Sequence, residues 1–302
     1  MGVTFNASTI AAESYGVNAK RQHTAFHAVA RRWLAASGFV ALVLTCAVCL
    51  AQAPQTADPR VVIDRLDANF REFNAIGVVY PIAKTDGVVI TARYRGTGAM
   101  ISACHMLTNY HVAFEASRRE VLFEVGQTAG DVAGFAYKTV GQIIDAGAFW
   151  AERDIVDDWA LVKLIDPRSR RSSNVGDRVG FLQIAAAPPA TILERPVTSA
   201  GYPGGQALGL IGHVNCRLAR VDQDRRWRMA CSMTEGQSGG PVTLRTADRG
   251  DVLIALNAAK PEGRSGIVTA DEARLSNLNY AMPLTRAAES RIRRSMAASR
   301  CD

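Results

Sequence analysis

Ser238 stands in the string Gly236–Gln237–Ser238–Gly239–Gly240, followed directly by Pro241 and Val242. A serine hydroxyl is a weak nucleophile unless a general base lies within hydrogen-bond reach. That base, usually a histidine, needs a third group to fix its tautomer and balance its positive charge. Glycine-rich turns holding a serine are common, so the pentapeptide alone leaves a turn hydroxyl and a nucleophile both open. Beyond residue 53 the chain holds three histidines, His105, His111 and His213. His111 lies at the end of the apolar run "MLTNYHV", where a strand meets a turn, and His105 precedes that run. Asp158 opens "DWALVKL". A carboxylate at the mouth of an apolar strand sits close to low dielectric, where it stabilises an imidazolium strongly.

Chain order separates two chemistries. As a string, Gly-x-Ser-x-Gly fits the nucleophile elbow of an α/β-hydrolase, but that fold places its histidine after the serine and its serine on a strand-to-helix turn. No histidine follows Ser238, and Pro241 leads into the strand-like "VTLRT". The order histidine, acid, serine survives: His111, Asp158, Ser238. Asp157 and Asp154 are alternative acids.

The elements that must bring these residues together read as strands. From Gly77 onward short apolar or alternating runs recur between turn residues, among them "IGVVYPI", "EVLFEV", "LIGHVNCRLARV", "DVLIALNA" and "NYAMPL". Many short strands with few helices between them predict an all-β barrel or sandwich. A short N-terminal helix is expected in "DPRVVIDRLDANFREF", capped by Asp58 with Pro59 in its first turn. A C-terminal helix is expected after Pro283. The polar stretch Asp166–Arg178 is the best internal boundary, and it divides the strand-rich region into 54–170 and 171–302.

The composition is globular, with 48% hydrophobic and 21% charged residues. The formal net charge is +7, and residues 1–53 hold a share of it through Lys20, Arg21, Arg31 and Arg32 against Glu13. No basic stripe interleaved with aromatics points to nucleic acid. The cluster Arg225–Arg228 reads as a solvated hairpin end. Arg31–Arg32, the apolar run Leu34–Leu50 and the small-x-small site Ala51–Ala53 form the three parts of a secretory signal. Cleavage after Ala53 and a secreted or periplasmic location are expected; membrane association arises only if the leader is kept as an anchor. Cys46 and Cys49 do not follow a small residue, so a lipid-attachment site is not expected. The cysteines left are Cys104, Cys216, Cys231 and Cys301, and an oxidising compartment favours disulfides. Cys216 and Cys231 flank two strands around Asp222–Gln223–Asp224, so a bridge across that hairpin is expected, leaving Cys104 for Cys301.

Several strings together resemble the trypsin-like serine peptidases of the bacterial secreted type: "GTGAMIS", "LTNYHV", "DWALVKL", "AGYPGG", "GQSGGPV" and "NYAMPL". The resemblance implies two six-stranded antiparallel β-barrels of the chymotrypsin kind, with His111 and Asp158 on the N-terminal barrel and Ser238 on the C-terminal one. It implies His111 as base, Asp158 as its orienting acid, Ser238 as nucleophile and the N–H groups of Gly236 and Ser238 as oxyanion donors. The implied reaction is peptide hydrolysis through an acyl-enzyme, with polypeptide substrates and neither metal nor organic cofactor. A non-catalytic binding protein on the same scaffold and an esterase with the same triad are the alternatives. Digestive members carry an aspartate just before the nucleophile, which pairs with a newly cut N-terminus. Gln237 stands there instead, so that activation switch is not expected. Ser232 falls near the base of the substrate pocket and argues against a preference for lysine or arginine; Glu235 and Asn257 are further pocket candidates.

Overall fold

The computed structural model describes residues 58–302 except 65–66, 86–87, 92–95, 115–118, 128–133, 148–156, 194, 205–208 and 270–277. The leader, its cleavage site and Asp154 lie outside the described residues. Among those described, no helix is long and apolar enough to cross a membrane.

Two closed antiparallel barrels of six strands each make up the fold. The first contains β2 (Ile76–Thr85), β4 (Gly96–Met100), β5 (His105–Thr108), β6 (Glu120–Gln127), β7 (Phe135–Ala146) and β8 (Ala160–Ile165), ordered β2-β4-β5-β8-β7-β6 and closed by β2 against β6. The short β1 (Val61–Val62) precedes it, and β3 (Val88–Thr91) pairs with the far end of β2. The second barrel contains β10 (Pro196–Gly201), β11 (Ile211–Val221), β12 (Trp227–Met229), β13 (Pro241–Thr246), β14 (Gly250–Ala259) and β15 (Asn279–Pro283). Its order is β11-β10-β13-β14-β15-β12, closed by β11 against β12; β9 (Gln183–Ile184) adds in parallel to β14.

The strand patterns follow from burial. In β7, Thr139, Gly141 and Ile143 are buried while Gln142 between them is exposed, the period of a strand with one wet face. β4 and β5 are buried at every residue, as central walls must be. The first core gathers Met106, Leu107, Phe123, Leu161 and Leu164; the second gathers Leu218, Trp227, Met229, Val242 and Ile254. Each such Leu, Ile, Val, Met or Phe side chain taken out of water contributes about 1.5–3 kcal/mol.

Two disulfides are present, Cys216–Cys231 and Cys104–Cys301. The first ties β11 to the chain just after β12, across the turn Asp222–Arg226. The second fastens the chain end to the first barrel. The helix Arg286–Ala298 that leads to it is capped by Thr285, whose hydroxyl accepts from the N–H of Ala288. It packs Ala288 and Ile292 inward and pairs Arg291 with Asp145 of β7.

The N-terminal helix differs from the sequence expectation. It is a 3-10 helix, Ala68–Ala75, capped by Asp67 rather than Asp58. The carboxylate of Asp58 is engaged by the guanidinium of Arg60, and Val62, which the helical spacing Val62, Leu66, Phe70 and Phe73 places on a helix face, instead forms β1 with Val61. The Arg225–Arg228 cluster is also less solvated than expected. Arg228 stacks over the Tyr280 ring at 3.8 Å and donates to Asp222 at 2.6 Å.

Candidate active site

Strand register brings His111 to Asp158. Thr108, the last residue of β5, pairs with Ala160, the first of β8, so the chain leaving β5 runs beside the chain entering β8. Asn109 locks this junction by donating its side-chain N–H to the Asp158 carbonyl at 2.7 Å. One helical turn, Tyr110–Ala113, then aims the imidazole back. His111 Nδ1 lies 2.6 Å from Asp158 Oδ2, and the His111 backbone N–H donates to Asp158 Oδ1 at 3.0 Å. Asp158 is buried, 4% exposed. A carboxylate removed from water needs its lone pairs filled, and here one residue serves both oxygens. The neighbouring Asp157 is used otherwise: its Oδ1 accepts from the Trp159 indole at 2.7 Å.

Ser238 is the second residue of the latter of two consecutive tight turns, Thr234–Gln237 and Gln237–Gly240. Gln237 N–H donates to Thr234 O at 3.1 Å, and Gly240 N–H donates to Gln237 O at 3.0 Å. The third residue of each turn is a glycine at positive φ, Gly236 at 88° and Gly239 at 81°, the conformation of a type II turn that favours glycine. A side chain at Gly236 would also run into the backbone of Tyr202 and Gly204. Among the described residues, the N–H groups of Gly236 and Ser238 donate to no protein acceptor. The Ser238 hydroxyl donates to the Ala258 carbonyl at 3.2 Å.

Thr97 of β4 laces this loop to the first barrel. Its N–H donates to Ser238 O at 2.8 Å, its hydroxyl donates to Gly236 O at 2.8 Å, and its own carbonyl accepts from Thr108 Oγ1 at 2.7 Å. It is fully buried. The string "GTG" marks it only as a turn-rich strand; its reach into the second barrel is a long-range contact that sequence spacing does not carry.

His111, Asp158 and Ser238 open on one cleft of about 750 Å³. Met233, Ala259, Lys260, Tyr280 and Arg226 line it further, with Glu235 and Glu262. Of the three pocket candidates, Glu235 lines the cleft and Ser232 and Asn257 do not. Ser232 is buried and bonded both ways with the backbone of Val268, at 2.8 and 3.3 Å. Asn257 accepts from Ser199 Oγ at 2.7 Å and donates to Ala200 O at 3.1 Å, inside the second barrel. Both are polar residues satisfying backbone and side chains in the core, so their side chains are spent before reaching the cleft.

The other two histidines lie elsewhere. His105 Nε2 faces the carbonyl of Ser299 at 3.1 Å and Nδ1 meets Ser102 Oγ at 2.8 Å, beside the Cys104–Cys301 bridge. A carbonyl only accepts, so Nε2 carries the hydrogen. His213 Nδ1 accepts from the Ser232 N–H at 2.8 Å, which leaves Nδ1 bare. Burial holds both imidazoles below their ordinary 6.5.

Residues 85–253 match the family model described as a trypsin-like peptidase domain. No curated protein matches the sequence. Many solved structures share the fold, three of them as follows. The protease Anisep from Arthrobacter nicotinovorans has a TM-score of 0.54 at 18% identity, covering 74% of this chain and 96% of its own. A Glu endopeptidase in complex with MPD has a TM-score of 0.54 at 17% identity, covering 80% and 97%. A thermostable serine protease from an extremophilic microorganism has a TM-score of 0.53 at 16% identity, covering 75% and 99%.

Proposed function

We propose that this chain, which belongs to the trypsin-like peptidase family and is a serine-type endopeptidase, cuts polypeptides with His111, Asp158 and Ser238 outside the cytoplasm. The observation that carries the assignment is the doubly bonded His111–Asp158 pair on the cleft where Ser238 opens. With Nδ1 committed to Asp158, Nε2 is the nitrogen left to act as base. In this reading the Ser238 hydroxyl, which donates to the Ala258 carbonyl, turns to that nitrogen when substrate fills the cleft; catalytic hydrogen bonds often tighten only once substrate is bound.

The chemistry then runs in two halves. Ser238 Oγ attacks the scissile carbonyl carbon as its proton passes to His111 Nε2, and the carbonyl electron pair moves onto oxygen. The N–H groups of Gly236 and Ser238 take up that negative charge, each donor being worth about 10²–10³-fold in rate. The C–N bond breaks as His111 returns the proton to the leaving amine. Water, deprotonated by the same imidazole, cleaves the resulting ester and restores Ser238. Asp158 keeps its charge throughout and stabilises the imidazolium.

The location follows from the leader and the cysteines. Two disulfides suit an oxidising compartment, and we assign the mature chain a start after Ala53, with 54–170 and 171–302 as its two halves. The test of the activity is casein digestion by the purified wild type and by Ser238→Ala. Loss of casein cleavage in the variant supports the peptidase. A wild type that hydrolyses simple esters and leaves casein intact turns the assignment to an esterase.

A further inference from the structure

We propose that Arg60 is a positioning residue for the turn that presents the Gly236 and Ser238 N–H groups to the reacting carbonyl; this rests on the role given to Ser238 above.

β1 pairs antiparallel with β11, Val61 beside Gly212 and Val62 beside Ile211. Both valines are exposed, at 47% and 64%, so burial of their side chains is not what holds the strand. Its anchors are the backbone pairing, the Ile63 N–H bond to Leu210 O at 2.8 Å, and Ile63 itself, which packs over Gly212. What this segment delivers inward is Arg60, whose side chain is only 10% exposed.

One guanidinium nitrogen of Arg60 clasps both ends of the Thr234–Gln237 turn. Nη1 donates to Thr234 Oγ1 at 2.9 Å and to Gln237 Oε1 at 3.1 Å. Gln237 Oε1 also accepts from the Thr234 N–H at 2.8 Å, and its Nε2 donates to Ile211 O at 3.1 Å. Ile211 is the residue that pairs with Val62, so strand, turn and clasp form a closed circuit. The rest of the guanidinium is held by Asp58, with Nη2 at 2.6 Å and Nε at 2.9 Å.

Charge-assisted bonds are roughly twice as strong as neutral ones, and this one bridges the first and last residues of the turn whose third residue is Gly236 at φ 88°. Oxyanion donors act only when they lie about 2.7–3.1 Å from the charge that develops. Without Arg60, the Thr234 hydroxyl loses its donor and Oε1 of the fully buried Gln237 keeps only its bonds from the Thr234 N–H and, at 3.3 Å, from the Thr234 hydroxyl. The turn around the Glu235–Gly236 peptide, whose carbonyl also accepts from the Gly204 N–H at 2.6 Å, then loosens and lets its N–H turn off the cleft. That loss falls on the transition state, where charge has formed, more than on substrate binding.

The test compares full-length wild type, Arg60→Gln and Arg60→Lys by kcat and KM on dye-quenched casein, by the rate of fluorophosphonate labelling, and by thermal melting. Arg60→Gln is expected to lower kcat and the labelling rate by about 10- to 100-fold, with KM within about threefold. Arg60→Lys, which keeps the charge but lacks the planar fork, is expected to fall between. Folded Arg60→Gln with wild-type kcat overturns the inference, as does a loss confined to KM. If Arg60→Gln fails to fold, Arg60→Lys decides: wild-type kcat there overturns it. A wild type that never labels at Ser238 defeats the underlying assignment and the inference with it; a labelling wild type matched by Arg60→Gln defeats the inference alone.

Discussion

His111 and Asp158 are joined twice, ring nitrogen to Oδ2 at 2.6 Å and backbone N–H to Oδ1 at 3.0 Å. The second bond fixes the carboxylate plane, so the first can fix the imidazole tautomer. Asp158→Asn tests the pair. An amide retains an oxygen for the backbone N–H but turns an N–H donor toward Nδ1, which then has to accept and leaves Nε2 protonated. The expected loss is about 10⁴-fold in kcat, read on casein, with the melting temperature little changed. A loss under tenfold would mean that Asp158 does not set the tautomer.

Gly236 carries a different constraint. Its φ of 88° and the backbone of Tyr202 and Gly204 packed against it leave no place for a Cβ. Gly236→Ala is expected to reduce kcat by about 10²-fold or more, the cost of losing one oxyanion donor. Affinity for a peptide that only fills the cleft should hold. Equal loss of both would place the effect in substrate binding.

Cleavage preference follows from the lining of the cleft. Ser232 is bonded to Val268 and Arg226 lines the wall. Glu235 is 67% exposed at the rim, 3.7 Å from Lys260. A cationic side chain entering this cleft meets Arg226 and Lys260 on the wall; Asp158 is engaged by His111, and the carboxylates of Glu235 and Glu262 are exposed, where pairing is weak. A peptide-library digest is therefore expected to show lysine and arginine depleted before the cut. Enrichment of either would contradict the reading.

Stability should fall on mild acidification. Burial holds His105, which also faces Lys163, and His213, which faces Asp58 and Arg60, below 6.5. The unfolded chain therefore takes up protons at these residues first as pH drops through 6.5, and stability declines until the folded imidazoles titrate in turn. For His213 the added proton also faces the Ser232 N–H it now accepts from. The hydrogen bond from Arg60 holds Asp58 below 3.8, so its stabilising contribution is lost only in stronger acid. Melting temperatures from pH 7.5 to 5 thus report the histidines. A decline is expected, shallower in His213→Gln; a flat profile would contradict it.

Much of this molecule was legible in the sequence for physical reasons. The strands were readable because half-buried β segments alternate and their turns carry glycine and aspartate. The Cys216–Cys231 bridge was readable because a hairpin is local. His111, Asp158 and Ser238, singled out by a chain order that excludes the competing hydrolase fold, lie on one cleft. The N-terminal helix starts later than its pattern implies because the near-helical spacing of Val62, Leu66, Phe70 and Phe73 coexists with a two-residue strand whose side chains are exposed and whose pairing is through the backbone. Position in the chain puts Ser232 and Asn257 near the pocket, while hydrogen bonding to Val268, Ser199 and Ala200 decides where their polar side chains end. Thr97 and Arg60 carry no signal in the sequence because each bonds to partners well over a hundred residues away.

The central claim is that Ser238 is the nucleophile and His111 its base. Its most direct test is fluorophosphonate labelling of the full-length protein, with the modified peptide identified by mass spectrometry. One adduct is expected, on Ser238, formed by the wild type and suppressed by at least about 10³-fold in folded His111→Ala. A folded wild type that takes no label, or a His111→Ala variant labelled at the wild-type rate, would contradict it.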